Sequence, residues 1–477
     1  MPVSPARAVA FDVLTRVEAE GAYAADALLA RLGGGRGAGA RRRSRLRLEA
    51  VVKREDAALA TELTFGVLRW QRLLDFLIER QANRPAAELD PGVRRALRLG
   101  AYQLLFLDRI PASAAVNEAV ELTRVARKKS AAGFVNAVLR RLPCGAEWLA
   151  QLARSLPGEM PEAERLGILY SHPGWMVERW LEQFGGDGAR ALLEANNQPL
   201  PVACAVLDPA ALDAVRDSLE ADGFAVEPGR LLRRALLIRG GGNPLACRAF
   251  RRGWIALQDE ASQAVTLLAG VEGGQSVLDV CAAPGNKTLH LALAAGPKAM
   301  VAAGDIHPSR LRAVRAQLRR AHVAGVKLVA MDAARPLPFA RRFDRILIDA
   351  PCSGTGTLAR NPEIRWRLAP EDIEELAGRQ VALLANAAER LAPGGRLVYA
   401  TCSLERDENQ QVVRRVMAAR GDLRLAPPPA AFAASLAGDG EEAVRKLFDP
   451  EGFFRTLPWE TGTDGFFAAI LERNSEL

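Results

Sequence analysis

SVLDVCAAPGNKTLHLALAA (276–295) is the stretch that decides the fold. An apolar run, SVLDVC (276–281), breaks into small residues and a turn, and KTLHLALAA (287–295) then takes up helical spacing. The same strand-then-helix unit repeats through the rest of the chain. Further strands are predicted at AMVAAGD (299–305), VKLVAM (326–331), FDRILIDA (343–350) and RLVYATC (396–402). Helices fit between them at PSRLRAVRAQLRRA (308–321) and EDIEELAGRQVALLANAAERL (371–391), the second closed by Pro393-Gly394-Gly395. Such alternation implies a Rossmann-like α/β domain over 251–477, with a mostly parallel sheet that binds ligands at the carboxyl ends of its strands.

Upstream the character changes twice. Residues 200–250 read as a small α/β subdomain: VACAVL (202–207) and LLRRALLIRG (231–240) look like strands around a helix in DPAALDAVRDSLEADG (208–223). Together with the helical stretch before it, this makes a middle region of 146–250. Residues 4–31 and 57–142, within an N-terminal domain of 1–145, carry helical periodicity almost throughout, as in Leu63, Val67, Leu68, then Leu73, Leu74, Ile78, then Leu97, Ala101, Leu104, Leu105. The reading is therefore multidomain: an all-α N-terminal domain, a small α/β middle subdomain and a C-terminal α/β domain. A Gly/Arg stretch, GGGRGAGARRRSRLR (33–47), interrupts the helices and reads as a loop, either solvated or touching a polyanion.

Composition narrows the class. The chain has 477 residues, 49% hydrophobic and 25% charged, enough for two or three buried cores. No apolar run approaches the roughly 20 residues of a bilayer span. MPVSPARAVAFDVL (1–14) lacks the apolar core and cleavage site of a secretory leader. Six cysteines without a CxxC pair argue against a disulfide framework or a zinc site, and a reducing cytoplasm fits. Residues 1–145 hold 25 Lys and Arg against 15 Asp and Glu, whereas the remainder is acidic by two charges. That asymmetry suits a polyanionic partner or simply a soluble basic domain, and charge alone does not choose. Nothing in the sequence calls for an obligate partner chain, so a monomer is expected.

The motifs lie at the predicted strand ends. DVCAAPGNKT (279–288) is neither GxGxxG nor a Gly-Lys-Ser/Thr phosphate loop, so nucleotide phosphates are disfavoured. Gly285 allows close backbone approach, and the following helix N-terminus can face a carboxylate. Asp305 could hold ribose hydroxyls and Asp332 an adenine amine, although either could equally cap a helix. A nucleoside bearing a carboxylate but no phosphates satisfies all three, and S-adenosylmethionine is such a ligand. The fourth strand delivers DAPCSGTG (349–356) and the fifth TCS (401–403). Neighbouring strands should bring Cys352 and Cys402 to one rim beside Asp349, in loops whose Ser, Thr and Gly favour a thiolate. Cys144, Cys204, Cys247 and Cys281 read instead as small hydrophobes.

Two cysteines and a carboxylate suit methylation at carbon 5 of cytosine. That carbon is a poor nucleophile until a thiolate adds at carbon 6. An acid at ring nitrogen 3 stabilises the developing charge, and a base must later take the carbon 5 proton.

With these motifs assembled, the chain resembles the Sun/Fmu family of RNA cytosine-5 methyltransferases, and within it the bacterial 16S rRNA subgroup with a NusB-like domain in front. GWIALQDEASQ (253–263), RNPEIRW (360–366), LATELTFGVLRW (59–70), LGAYQLLFLDRIP (99–111), AVNEAVELTR (115–124) and GFVNAVLRRL (133–142) extend the resemblance over nearly the whole chain. It implies Cys402 as nucleophile, Cys352 as the group that helps resolve the adduct, and Asp349 in contact with cofactor and cytosine. It implies that Cys281, Ala282, Ala283, Pro284, Gly285, Asn286, Lys287, Asp305 and Asp332 hold S-adenosylmethionine. Arg310 matches a family arginine or makes a surface ion pair. Arg360 and Arg365 are expected near RNA phosphates. Asn286 stands where the family usually has glycine, and its tolerance of left-handed angles should preserve the turn. ACAVL (203–207) stands where relatives usually have an Arg-Val-Asn strand. A tRNA substrate and a non-enzymatic RNA-binding scaffold are the alternative readings.

Overall fold

The computed structural model describes residues 3–32, 53–143, 145 and 147–474, so the Gly/Arg stretch at 33–47 and Cys144 lie outside the described residues. Contacts divide the chain into two units. One takes Met1–Gln198 with Leu358–Arg367, the other Pro199–Thr357 with Leu368–Leu477.

The first unit is helical. Its helices include Pro5–Glu20, Arg54–Arg69, Gln71–Ala82, Pro91–Phe106, Ala112–Val125 and Ala132–Arg140, followed by Trp148–Ser155, Glu162–Leu169 and Gly174–Asn196. Local chemistry sets their ends. Asp90 accepts from the Gly92 and Val93 amides, and Pro91 opens the helix with a preset φ. Gly185, at φ 70°, breaks the last helix into two arms. The periodic positions form the core: Leu63, Val67, Leu73, Leu74, Ile78, Leu97 and Ala101 are buried in one cluster.

The segment Leu358–Arg367 belongs to this helical unit, and it overturns one expectation. Arg365 is fully buried rather than near phosphates. Its guanidinium donates to the carbonyls of Arg69 (3.0 Å), Ser171 (3.1 Å) and Asn196 (2.7 Å), and to Asn197 Oδ1 (2.9 Å). Five donors in a rigid fork can satisfy several carbonyls at once, so the arginine serves as an internal clamp. Trp366 Nε1 donates to the Leu68 carbonyl, at 2.6 Å.

The second unit contains two sheets. The smaller has β1 (Val202–Val206), β2 (Phe224–Pro228), β3 (Ala235–Gly240) and β4 (Ile255–Leu257) in the order β2-β3-β1-β4, antiparallel throughout. β1 is central. Cys204 and Val206 pack with Val215, Leu219 and Phe224, while Ala205 packs with Leu289, Leu311 and Val314. Small residues in ACAVL thus let helices approach both faces of the strand.

The larger sheet comprises β5 (Val277–Asp279), β6 (Val301–Asp305), β7 (Lys327–Ala330), β8 (Phe343–Asp349), β9 (Leu391–Thr401), β10 (Leu423–Leu425), β11 (Phe454–Thr456) and β12 (Phe466–Arg473). Its order is β10-β12-β9-β8-β5-β6-β7, with β11 also on β12. The five strands from β7 to β9 are parallel, whereas β10, β11 and β12 form an antiparallel end. β9 starts earlier than expected. Phe343 pairs with Leu391 and Arg345 with Arg396, so 392–395 bulge from the ladder. Pro393 has no N–H to give and Gly394 takes φ 68°, which is the chemistry of a bulge rather than a helix stop. Strand order reverses at β5, between β6 and β8, which places a ligand crevice at the carboxyl ends of these strands.

Candidate active site

Asp279, Asp305, Asp349 and Thr401 are the last residues of β5, β6, β8 and β9, so parallel pairing carries all four to the same edge of the sheet. Past β5 the chain turns at Gly285 (φ 114°) into the helix Asn286–Ala295. A Cβ at Gly285 would stand 2.9 Å from Val314 Cα, so glycine is required both by conformation and by space. The turn survives the Gly→Asn departure for a different reason from the one expected. Asn286 is helical and is absent from the left-handed residues, and its Nδ2 donates to the Leu257 carbonyl at 2.8 Å.

Lys287 joins this turn to the reactive strand. Its Nζ lies 2.7 Å from Asp349 Oδ2 and 5.2 Å from the Phe466 ring centroid. Asp279, absent from the expected site residues, is completely buried beside the turn. Thr288 Oγ1 donates to its Oδ2 at 2.6 Å, while Oδ1 is buried with no hydrogen-bond partner. Burial pushes its carboxyl up to about 7, partly offset by the Thr288 bond. The signal was present in the first residue of DVCAAPG. Cys281 is half-buried, and desolvation raises its thiol beyond the usual range, as an inert sulfur requires. Ala282 is buried and its amide donates to the Gly304 carbonyl; Ala283 is half-buried and Pro284 exposed.

Asp305 is buried, with Oδ1 accepting from the His307 amide (2.9 Å) and Oδ2 standing 3.7 Å from Arg310. Arg310 thus makes an ion pair from a half-exposed position. Asp332 accepts from the Ala334 amide (3.1 Å) and lies 3.6 Å from the exposed Arg335. The residues fit the proposed ligand class. A helix N-terminus, an unpartnered buried carboxyl oxygen and two strand-end aspartates offer donors and acceptors for an amino acid joined to a nucleoside.

The two cysteines converge. Cys352 Sγ and Cys402 Sγ stand 3.3 Å apart, close enough for a sulfur hydrogen bond and too far for a disulfide. The contact with Cys402 and burial hold Cys352 well above the ordinary thiol range, with the Glu408 charge adding to the effect. Either sulfur can donate to the other across this contact.

Glu408, which sequence reading missed, ties the two loops together. It is fully buried. Its Oε1 accepts from the Ser353 amide and from Gln380 Nε2, each at 2.9 Å. Its Oε2 accepts from both the Ser353 and the Ser403 hydroxyls. One carboxyl group thus holds the residue after each cysteine. Asn409 continues the brace by donating to the Ser403 carbonyl (2.8 Å), and the Gly356 amide donates to the Cys402 carbonyl (2.9 Å). In sequence the glutamate sits in an ordinary charged run, LERDENQ (404–410), and only its inward orientation sets it apart.

Comparison with known proteins matches three stretches of the chain. The family model for 16S rRNA methyltransferase RsmB/F matches residues 265–472, the NusB family model matches 4–143, and the ferredoxin-like domain of RsmF/B-like methyltransferases matches 172–243. A probable ribosomal RNA small subunit methyltransferase B from Synechocystis is 33% identical over 88% of this chain and 91% of its own length. The Bacillus subtilis protein of the same name is 32% identical over 90% and 94%. Among solved structures, a methyltransferase homolog from Pyrococcus horikoshii superposes with TM-score 0.53 at 28% identity, covering 66% of this chain and 99% of that one.

Proposed function

Because the chain belongs to the RsmB/F family of 16S rRNA methyltransferases, with S-adenosylmethionine as its cofactor, we propose that it methylates carbon 5 of a cytosine in 16S rRNA through a covalent adduct with Cys402. The observation that carries this reading is the 3.3 Å approach of two free sulfurs at the carboxyl edge of β8 and β9. Methylation of a heteroatom needs no thiol; methylation of an unactivated ring carbon needs a nucleophile and a means of expelling it.

When bound, S-adenosylmethionine supplies the electrophilic methyl group, held by the 281–287 turn, Asp305 and Asp332, with Arg310 steadying Asp305. Cys402 adds its sulfur to carbon 6 of the cytosine. Asp349 is positioned by Lys287, and the proton shared by that pair can pass to ring nitrogen 3 as negative charge develops there. The enamine pair at carbon 5 takes the methyl group, and a base at the rim then removes the carbon 5 proton. The carbon 5–carbon 6 double bond re-forms and Cys402 leaves as the thiolate, a release that Cys352 assists. With two sulfurs this close, attack and release can fall to different ones. A base stacked in a helical stem cannot reach the rim, so the target lies in a loop or is flipped out. The helical 1–145 domain, the 146–250 region and the 251–477 methyltransferase domain divide RNA binding and chemistry between them.

The test is methyl transfer from labelled S-adenosylmethionine to transcribed, unmodified 16S rRNA, with nucleosides identified after digestion. Label in 5-methylcytidine is the expected result. Label in any other nucleoside would sink the carbon 5 assignment, and label on tRNA alone would sink the substrate.

A further inference from the structure

The second unit is neutral overall, with 32 Lys and Arg against 32 Asp and Glu, yet two of its segments carry exposed arginines that have no ion-pair partner among the described residues. RAFRRGW (248–254) supplies Arg248, Arg251 and Arg252. The helix Pro308–Arg320 supplies Arg315 and Arg319 and contains no acidic residue. All five are exposed, and among the described residues none has an ion-pair partner. Arg320 fixes the two segments side by side: its guanidinium donates to the Phe250 and Ile255 carbonyls, each at 2.8 Å, and stacks 3.9 Å from the Phe250 ring.

Beside them opens a cleft of about 670 Å³, lined by Arg251, Arg252, Trp254, Asp208 and His322. Arg248 and Arg252 lie 5.9 and 5.5 Å from the Trp254 ring centroid. A guanidinium laid on an aromatic face loses rotamer freedom but keeps its N–H edge free, which is the arrangement that forks a phosphate. The acidic groups nearby are already engaged. Asp208 accepts from the Ala210 amide and Asp222 from the Arg248 amide. Arginines that lie close together without an ion pair set up a local positive potential, which suits an external polyanion.

We infer that the cleft at Trp254, with the arginines of 248–252 and of the 308–320 helix, seats the phosphodiester backbone of the RNA substrate. This rests on the RNA reading above and adds a second contact surface, distinct from the basic N-terminal third. It also offers this chain a basic contact in place of the missing Arg-Val-Asn strand, since β1 here is committed to core packing.

The test uses the full chain and two double variants, Arg251→Ala with Arg252→Ala, and Arg315→Ala with Arg319→Ala. Affinity for transcribed 16S rRNA and for an unrelated single-stranded RNA is measured across a potassium chloride series. S-adenosylmethionine binding is followed by calorimetry as a check on folding. Each double variant is expected to bind both RNAs on the order of tenfold more weakly, with a salt slope shallower by about 1 to 2. Cofactor affinity and kcat at saturating RNA should be retained. Arg251→Lys with Arg252→Lys should keep the salt slope while losing part of the affinity. Unchanged affinity and slope in both double variants, with cofactor binding intact, would overturn the inference. Wild-type protein that binds RNA in this salt-dependent way but leaves 16S rRNA unmethylated would count against the proposed substrate and not against the cleft.

Discussion

Cys204 and Cys402 both belong to apolar strands of the same unit, and their surroundings give them opposite fates. Cys204 lies in the middle of β1 with both neighbours facing core, and burial pushes its thiol up to about 12. Cys402 lies one residue beyond β9, where the chain has left the ladder for a loop braced by hydrogen bonds among Thr401, Asn409, Ser403 and Ser353. Desolvation without compensation keeps a thiol unreactive, and Cys402 differs from Cys204 in having left its strand for a loop. Strand position, more than residue type, separates the proposed nucleophile from the core cysteine.

The largest break in that contrast is Cys402→Ala. Methyl transfer should fall on the order of 10³-fold or more, with S-adenosylmethionine binding preserved by calorimetry. An active variant would remove Cys402 from the nucleophile role. Glu408→Gln should come next. An amide nitrogen cannot accept from the serine hydroxyls. The brace then loosens, and kcat should drop by about tenfold to a hundredfold while the KM for S-adenosylmethionine holds. A variant with normal kcat would show that the two loops keep their spacing unaided.

Cys204→Ala probes the other side of the comparison. It should cost about 1 kcal/mol of stability, read by denaturant midpoint, and leave kcat unchanged. A loss of activity at full stability would mean that the small sheet takes part in the chemistry. The smallest effect is expected from Asp279→Asn. A carboxyl raised from 3.8 to about 7 by burial favours its protonated form in the folded state, so its contribution to stability is complete at low pH. That contribution is lost as pH climbs through the window between those values. Thermal scans at pH 5 and pH 8 should therefore show wild type losing about 2–4 °C more than the variant. Parallel curves would place the Asp279 carboxyl at an ordinary value.

The five parallel strands and the helical N-terminal unit were legible because each rests on long periodic runs. β12 was not. FFAAILER (466–473) is buried on both faces at its start and ends in helix-forming residues, so neither period stands out. β10 and β11 have three residues each, too few for any pattern. At the site, Cys352, Cys402 and Asp349 could be read because they end strands inside small-residue motifs. Glu408 could not, because a glutamate turned inward to four donors is spelled like one turned towards water. Arg365 failed in the reverse direction: a basic loop motif suggested phosphates, and the fold uses it to gather carbonyls.

The most direct test of the cysteine assignment is to mix Cys352→Ala with transcribed 16S rRNA and S-adenosylmethionine, resolve the products on a denaturing gel and map the cross-linked peptide. A protein–RNA band that survives denaturation, carries the methyl label and maps to Cys402 is the expected result, because attack proceeds while release is slowed. Full turnover with no retained band, or a band mapping to another residue, would contradict the division of labour between the two sulfurs.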